Sequence, residues 1–263
     1  MTTPSPGRFS YGSLALLVDR KHRRYLVRLV EGGSFHSHAG YVAHADIVDQ
    51  HDGFLAKSTQ GASYLCVTPT LSDFIYEMPR GAQVIYPKDI GAILMQADIY
   101  PGARVLEAGV GSGALSMAML RMGADIVGYE IREDFANKAR NNVSSFLGDD
   151  VLERYRVELR DVYEGIDERN LDHIILDLPE PWSVVKHAET ALRVGGIFFA
   201  YVPSAVQVAH LRETLEDSKF AMAQTMEVLH RGWYVKGNAV RPDHRMVGHT
   251  GFLTTARLME PVE

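Results

Sequence analysis

Cysteine is almost missing. Cys66 is the single one in 263 residues, so no internal disulfide can form and a reducing cytoplasm is the expected compartment. Long apolar runs are missing as well. The longest stretches, such as Leu14 to Val18 and Ile197 to Val202, fall far short of the ~18 residues that cross a bilayer. The opening MTTPSPGRFS has no apolar stretch behind a basic residue, which predicts no secretory leader. Basic excess is absent too: 27 Lys and Arg stand against 33 Asp and Glu, a net charge of −6, where a nucleic-acid binder ordinarily shows the opposite balance. No spacing of His and Cys fits a metal ligand set, so His36, His38, His44 and His51 read as strand and loop residues and no metal is expected. No serine or cysteine nucleophile with a recognisable His partner stands out either. What remains is ordinary globular composition, 46% hydrophobic and 23% charged, which excludes a disordered or low-complexity chain.

Charge is nevertheless patterned locally. Residues 1–80 carry eight basic and seven acidic side chains, with Arg20, Lys21, Arg23, Arg24 and Arg28 close together. A second basic group, Arg231, Lys236, Arg241 and Arg245, lies near the end. The first part reads as short strands, Leu14–Val18, Arg24–Val30 and Tyr64–Val67, with no helical period. This predicts a small β domain over residues 1–75. From residue 76 to 263 strands and helices alternate, with strands at 104–108, 125–129 and 171–177 and helices at 114–122, 132–146 and 205–215. That alternation predicts an α/β fold with a parallel sheet covered on both faces. Two β-like stretches near the end, 223–229 and 251–259, lack a helix between them and predict an antiparallel edge.

The sharpest signal is RVLEAGVGSGALSMAML. A strand runs into Gly109, Gly111 and Gly113 and a helix follows, so a ligand can approach bare amides at the helix start. With Ala114 in the last place the run also fits a dinucleotide fingerprint, and the glycines alone leave the nucleoside cofactor open. Three acids narrow the choice. Glu107 precedes the glycines, Glu130 ends the next strand where it suits a ribose diol, and Asp161 ends the third where it suits an adenine amine. Singly, each acid is commonly a solvated loop residue. Together at successive strand ends they favour S-adenosylmethionine (SAM), which carries a sulfonium and an ammonium and no phosphate.

A second constellation follows the strand at 171–177. Asp177 is succeeded by Leu178, Pro179, Glu180, Pro181 and Trp182. An acid with a proline-aromatic pair here resembles the corresponding motif of nucleic-acid amino-methyltransferases. In that motif the acid accepts from an exocyclic amine and the aromatic packs on the base. Helix capping by Asp177 and plain packing by Trp182 compete with this. Tyr86, in QVIYPKD, is a candidate wall of the base pocket. Arg241 and Arg245 are candidate phosphate contacts, and His249 lies near the pocket, in a stretch too rich in Arg, His and Gly for an ordinary connection.

IYPKD, PGARVLEAGVGSGALS, YEIRED, LDLPEPW and RGWYVKGNAVRPDHRMVGHTGFL, in order and spacing, resemble the tRNA (adenine-58-N1)-methyltransferases of bacteria and archaea, their actinobacterial members above all. The resemblance implies a Rossmann-like class I SAM-dependent methyltransferase sheet behind a small β domain, assembled as a homotetramer. It implies methyl transfer from SAM to N1 of the T-loop adenosine of tRNA. Carried onto this chain, Glu107, Gly109, Gly111, Ser112, Gly113, Ala114, Leu115, Glu130, Asp161 and Val162 would hold the cofactor. Asp177 would border both cofactor and base, and Asp177 with Tyr86 would be catalytic. Trp182, Arg241, Arg245 and His249 would meet the substrate. Three readings compete: a methyltransferase of the same sheet acting on another nucleic acid or a small amine, an idle tRNA-binding subunit, and an NAD-dependent oxidoreductase. An idle subunit would be expected to lose the glycines or the acid, and no hydride-handling pair stands out.

Overall fold

A computed structural model describes residues 7–81 and 83–260. The chain divides into two compact units, residues 1–78 and 79–263, a boundary three residues beyond the one that the pattern change suggests.

In the first unit a four-stranded antiparallel sheet has the order β2-β1-β6-β5, with β1 Leu14–Asp19, β2 Arg24–Arg28, β5 Phe54–Lys57 and β6 Ser63–Val67. A two-stranded ribbon, β3 Ser34–Ser37 with β4 Gly40–Ala43, accompanies it. Period-two alternation sets the core. Tyr64 and Cys66 of β6 point in while Leu65 between them stays exposed. Burial pushes the Cys66 thiol up to about 11, which leaves it protonated and inert at neutral pH. His44 is buried, and its Nδ1 accepts from the Val30 amide at 3.0 Å. The expectation of no helix fails at α1, Leu71–Glu77. Seven residues are too few for a period to show, but Thr70 and Asp73 form a reciprocal capping box at its start.

The second unit is built on a seven-stranded sheet, order β12-β15-β11-β10-β7-β8-β9. Its parallel strands are β7 Arg104–Ala108, β8 Asp125–Glu130, β9 Tyr155–Leu159, β10 Leu171–Asp177 and β11 Leu192–Val202. The chain builds outward from β7 through β8 to β9, then crosses back to lay β10 on the other side of β7. A crevice therefore opens between the carboxyl ends of β7 and β10, the place where α/β sheets bind ligands. The helices are α2 Pro87–Gln96, α3 Ala114–Arg121, α4 Glu133–Leu147, α5 Val185–Ala191 and α6 Ala205–Glu216. All of Ala114 to Leu120 in α3 is buried, which matches a stretch that is apolar apart from Ser116.

The closing strands β12 Phe220–Glu227 and β15 Phe252–Leu258 do pair antiparallel, but β15 also pairs with β11, so it lies inside the sheet and β12 forms the edge. Between them the chain makes its own ribbon, β13 Trp233–Lys236 with β14 Ala239–Pro242. Gly237, at φ +55°, allows its tight reversal.

Candidate active site

The turn after β7 is shaped by two close approaches. Gly109 sits at φ +83°, and a Cβ there would lie 2.2 Å from the backbone oxygen of Asp177. The ends of β7 and β10 can touch only because that position is glycine. Gly113, at φ +80°, starts α3, and a Cβ there would crowd Ala139 of α4 at 3.2 Å. Between them the Gly111 amide donates to Glu130 Oε2 at 3.0 Å, tying the turn to the end of β8. The Ser112 carbonyl accepts from Asn142 Nδ2 at 2.9 Å. The Ser112 hydroxyl is buried without a partner among the described residues.

The three acids differ in state. Glu107 is buried under the turn; Ser116 Oγ donates to its Oε2 at 2.5 Å, and Tyr155 OH donates to Ser116 Oγ at 3.0 Å. Burial pushes its pKa up to about 8; the Ser116 bond opposes that rise, and the charges of Asp177 and Glu130 add to it. Glu130 uses Oε2 on Gly111 and Oε1 on the Arg132 amide, both at 3.0 Å, so its carboxylate is fixed with a second lone pair left on each oxygen. Asp161 caps the following 3-10 turn through Oδ1, which accepts from the Tyr163 amide at 2.9 Å. Val162 turns its side chain into the core, so it can offer a ligand backbone only.

Asp177 ends β10 and forms no hydrogen bond through its carboxylate among the described residues. Solvent reaches it, yet protein surrounds it on most sides, as at the floor of an open cleft. That desolvation pushes its pKa up to about 7. The cleft at the turn is lined by Gln83 to Ile85, the turn itself, Ala114, Leu115, Glu107 and Asp177; it holds two carboxylates and no cation. That lining suits a cationic nucleoside such as SAM, which favours the ionised carboxylates, and it offers a diphosphate no counter-charge.

The structure does not gather every expected residue here. Tyr86 caps α2 and is half-buried. Trp182 is stacked on His210, ring centroids 4.2 Å apart, and packs against the sheet core. One indole face is therefore already covered, and packing accounts for it as it stands. Arg241 stacks over Tyr234 at 4.6 Å on the ribbon, and Arg245 is exposed beyond it. His249 donates through Nε2 to the Pro203 carbonyl at 2.8 Å. In the first unit, Arg23 is paired with Asp19 and Arg24 with Asp73, so that basic cluster is partly neutralised.

Two features escaped the sequence reading. Tyr201 lies beside Asp177 in the register of β11 on β10. Lys88, Asp89 and Thr250 form a buried polar knot next to it. The fixed order of IYPKD and GHTGF was the one available hint, since the pairing itself spans 162 residues.

A family model described as tRNA methyltransferase complex GCD14 subunit matches residues 62–241, and one described as TrmI-like N-terminal matches residues 7–55. The tRNA (adenine(58)-N(1))-methyltransferase TrmI of Thermus thermophilus is 36% identical over 246 residues, covering 92% of this chain and 95% of the relative. The tRNA (adenine(57)-N(1)/adenine(58)-N(1))-methyltransferase TrmI of Methanocaldococcus jannaschii is 36% identical, covering 94% and 96%. Among solved structures, a SAM-dependent O-methyltransferase from Thermotoga maritima matches with a TM-score of 0.92 at 30% identity, covering 98% of this chain and 97% of that one. The tRNA (m1A58) methyltransferase TrmI from Aquifex aeolicus matches with a TM-score of 0.83 at 25% identity, covering 97% and 100%. On these matches, the chain belongs to the tRNA (adenine-58-N1)-methyltransferase family.

Proposed function

We propose that this chain transfers the methyl group of SAM to N1 of the adenosine at position 58 in the tRNA T-loop. The observation that carries the reading is the cleft at the glycine turn, with Glu107 and Asp177 in its lining and no cationic side chain. When bound, SAM supplies an electrophilic methyl carbon on a positively charged sulfur. Gly109, Gly111 and Gly113 give it room, and Ala114 and Leu115 give it apolar wall. The buried Ser112 hydroxyl, which no described protein group satisfies, is a further polar atom beside the turn. Glu130 is set to accept from a ribose diol. Asp161, through the oxygen its cap leaves over, and the backbone at Val162 are set to meet the adenine of the cofactor.

The acceptor side follows from Asp177. N1 of adenine carries an in-plane lone pair and needs no base before it attacks. Asp177, as carboxylate, accepts from the exocyclic N6 amine, which fixes the ring and stabilises the cation that N1 methylation creates. Tyr86 walls the base, which has to be exposed from the tRNA elbow to be gripped by its edge. Arg241 and Arg245 contact phosphates, and His249 holds the chain that leads to them.

Self-association as a homotetramer is part of the same proposal. Its support here is the ribbon, which leaves Trp233, Val235 and Val240 each more than half exposed, an apolar surface of the kind that a partner covers. A cytoplasmic location is proposed on the lone buried cysteine; no helix among the described residues is long and apolar enough to cross a membrane.

The test is single-turnover methylation of unmodified tRNA with the product nucleotide mapped. N1-methyladenosine at position 58 is expected, and a methyl group on oxygen or on another base would replace this reading. Asp177→Ala is expected to slow turnover by on the order of 100-fold while SAM still binds. A rate near that of the wild type would take Asp177 out of the chemistry.

A further inference from the structure

A connection of more than twenty residues, 228–250, leaves the sheet after β12 and returns before β15, carrying the ribbon with Arg231, Lys236, Arg241 and Arg245. Its two ends are gathered by one side chain. The Lys88 ammonium has three hydrogens and three acceptors: Asp89 Oδ1 at 2.7 Å, the Val228 carbonyl at 2.6 Å and Thr250 Oγ1 at 2.6 Å. Thr250 in turn donates to Asp89 Oδ2 at 2.7 Å. The Lys88 side chain is 9% exposed and that of Asp89 is fully buried. Next to Thr250, the Tyr201 ring lies so close to Gly251 that a Cβ there would overlap it at 2.3 Å.

The knot thus touches three things at once. It stands in the first turn of α2, whose cap is Tyr86. It reaches Tyr201, the register neighbour of Asp177. It clasps both ends of the basic connection. Burying a lysine and an aspartate is expensive, and as a stabilising device an apolar pair of the same size would serve as well. An ion pair that grips a carbonyl on one side of a loop neck and a hydroxyl on the other fixes geometry that an apolar pair cannot fix.

We propose that Lys88, through Asp89 and Thr250, is a positioning residue for methyl transfer: it holds the neck of the 228–250 connection in one register against α2 and Tyr201, so that tRNA gripped by the connection presents its base to Tyr86 and Asp177. This rests on the function proposed above.

The test compares Lys88→Met/Asp89→Asn, which removes both charges together, with Thr250→Val and Thr250→Ser. Each is assayed for melting temperature, SAM affinity, single-turnover rate at saturating tRNA and hydrogen exchange over 229–248. The double variant is expected to keep SAM affinity within about twofold and to lose about tenfold or more in rate, a loss of alignment. Thr250→Val, which removes one hydroxyl, is expected to lose about fivefold and to speed exchange in the connection, and Thr250→Ser to restore both. Wild-type rate and exchange in both the double variant and Thr250→Val overturn the proposal. Equal losses in Thr250→Val and Thr250→Ser also overturn it, because the hydroxyl would then not be the holding group. Thr250→Val answers alone should the double variant not fold. An absence of methylated nucleotide with the wild-type chain would remove the function reading, and the exchange data would still report on the clasp.

Discussion

At Glu107 burial and charge are opposed. Its folded pKa of about 8 lies above the ordinary 4.5, so the folded, ligand-free chain keeps a proton that the unfolded chain gives up. The sign follows: this carboxyl is no burden below pH 4.5, and its cost to stability grows as pH rises from 4.5 towards 8. A sulfonium or ammonium brought against it favours the carboxylate and expels the proton. SAM binding at pH 7 is therefore expected to release protons, and its affinity to rise between about pH 6 and about pH 8. Titration calorimetry in two buffers of different ionisation heat measures the release, and Glu107→Gln should reduce it, leaving the share of Asp177. Affinity flat across that range with no buffer dependence would mean that Glu107 does not face the cation. Position and residue type were legible in the sequence here; the Ser116–Tyr155 bracing and the altered charge state were not, because both depend on burial. Trp182 shows the same limit, since only the fold brings His210 onto its face.

At the scale of the element, the turn between β7 and α3 separates two kinds of glycine. Gly109 is needed for both conformation and space, with φ +83° and a Cβ overlap with the Asp177 backbone, whereas Gly111, at φ +57°, has nothing nearer than 4.0 Å. Gly111→Ala is expected to cost the ~1–2 kcal/mol of left-handed strain alone. Gly109→Ala should cost more than that, because β10 must move, and should weaken SAM binding further. Denaturant unfolding and equilibrium binding on the two variants check this, and equal losses would show that the β7–β10 approach is not tight. The spacing of the three glycines announced the turn, and alternation announced β7, β8 and β10, because those elements are specified by their own residues. Helix α1 and the β13–β14 ribbon were missed because each is too short to show a period, and their signals lie in single positions: the Thr70 and Asp73 box, and Gly237 with Asn238. The Lys88 clasp joins segments 140 and 162 residues apart, which no local window contains.

For the whole molecule the question is how a chain of net charge −6 binds a polyanion. Averaging hides the answer, because many cations are spent internally: Arg156 on Glu158 and Glu168, Arg160 on Asp167, Arg193 on Asp172. Arg20 and Lys21 in the first unit and Arg245 in the second have no ion-pair partner among the described residues and are exposed, while Arg241 is held on a tyrosine face. Cations left over in this way, rather than the sum, determine phosphate contact. tRNA affinity should therefore fall steeply between about 50 and about 200 mM salt despite the acidic total. The slope of log affinity against log salt should become shallower by roughly 0.7–0.9 for each contact removed, so Arg241→Ala/Arg245→Ala is expected to reduce it by about 1.4–1.8. Arg20→Ala/Lys21→Ala gives the corresponding measure for the first unit. Binding isotherms at four salt concentrations distinguish the outcomes: an unchanged slope in either pair assigns that pair to solvent, and a flat response of the wild type would mean that tRNA is held without its phosphates.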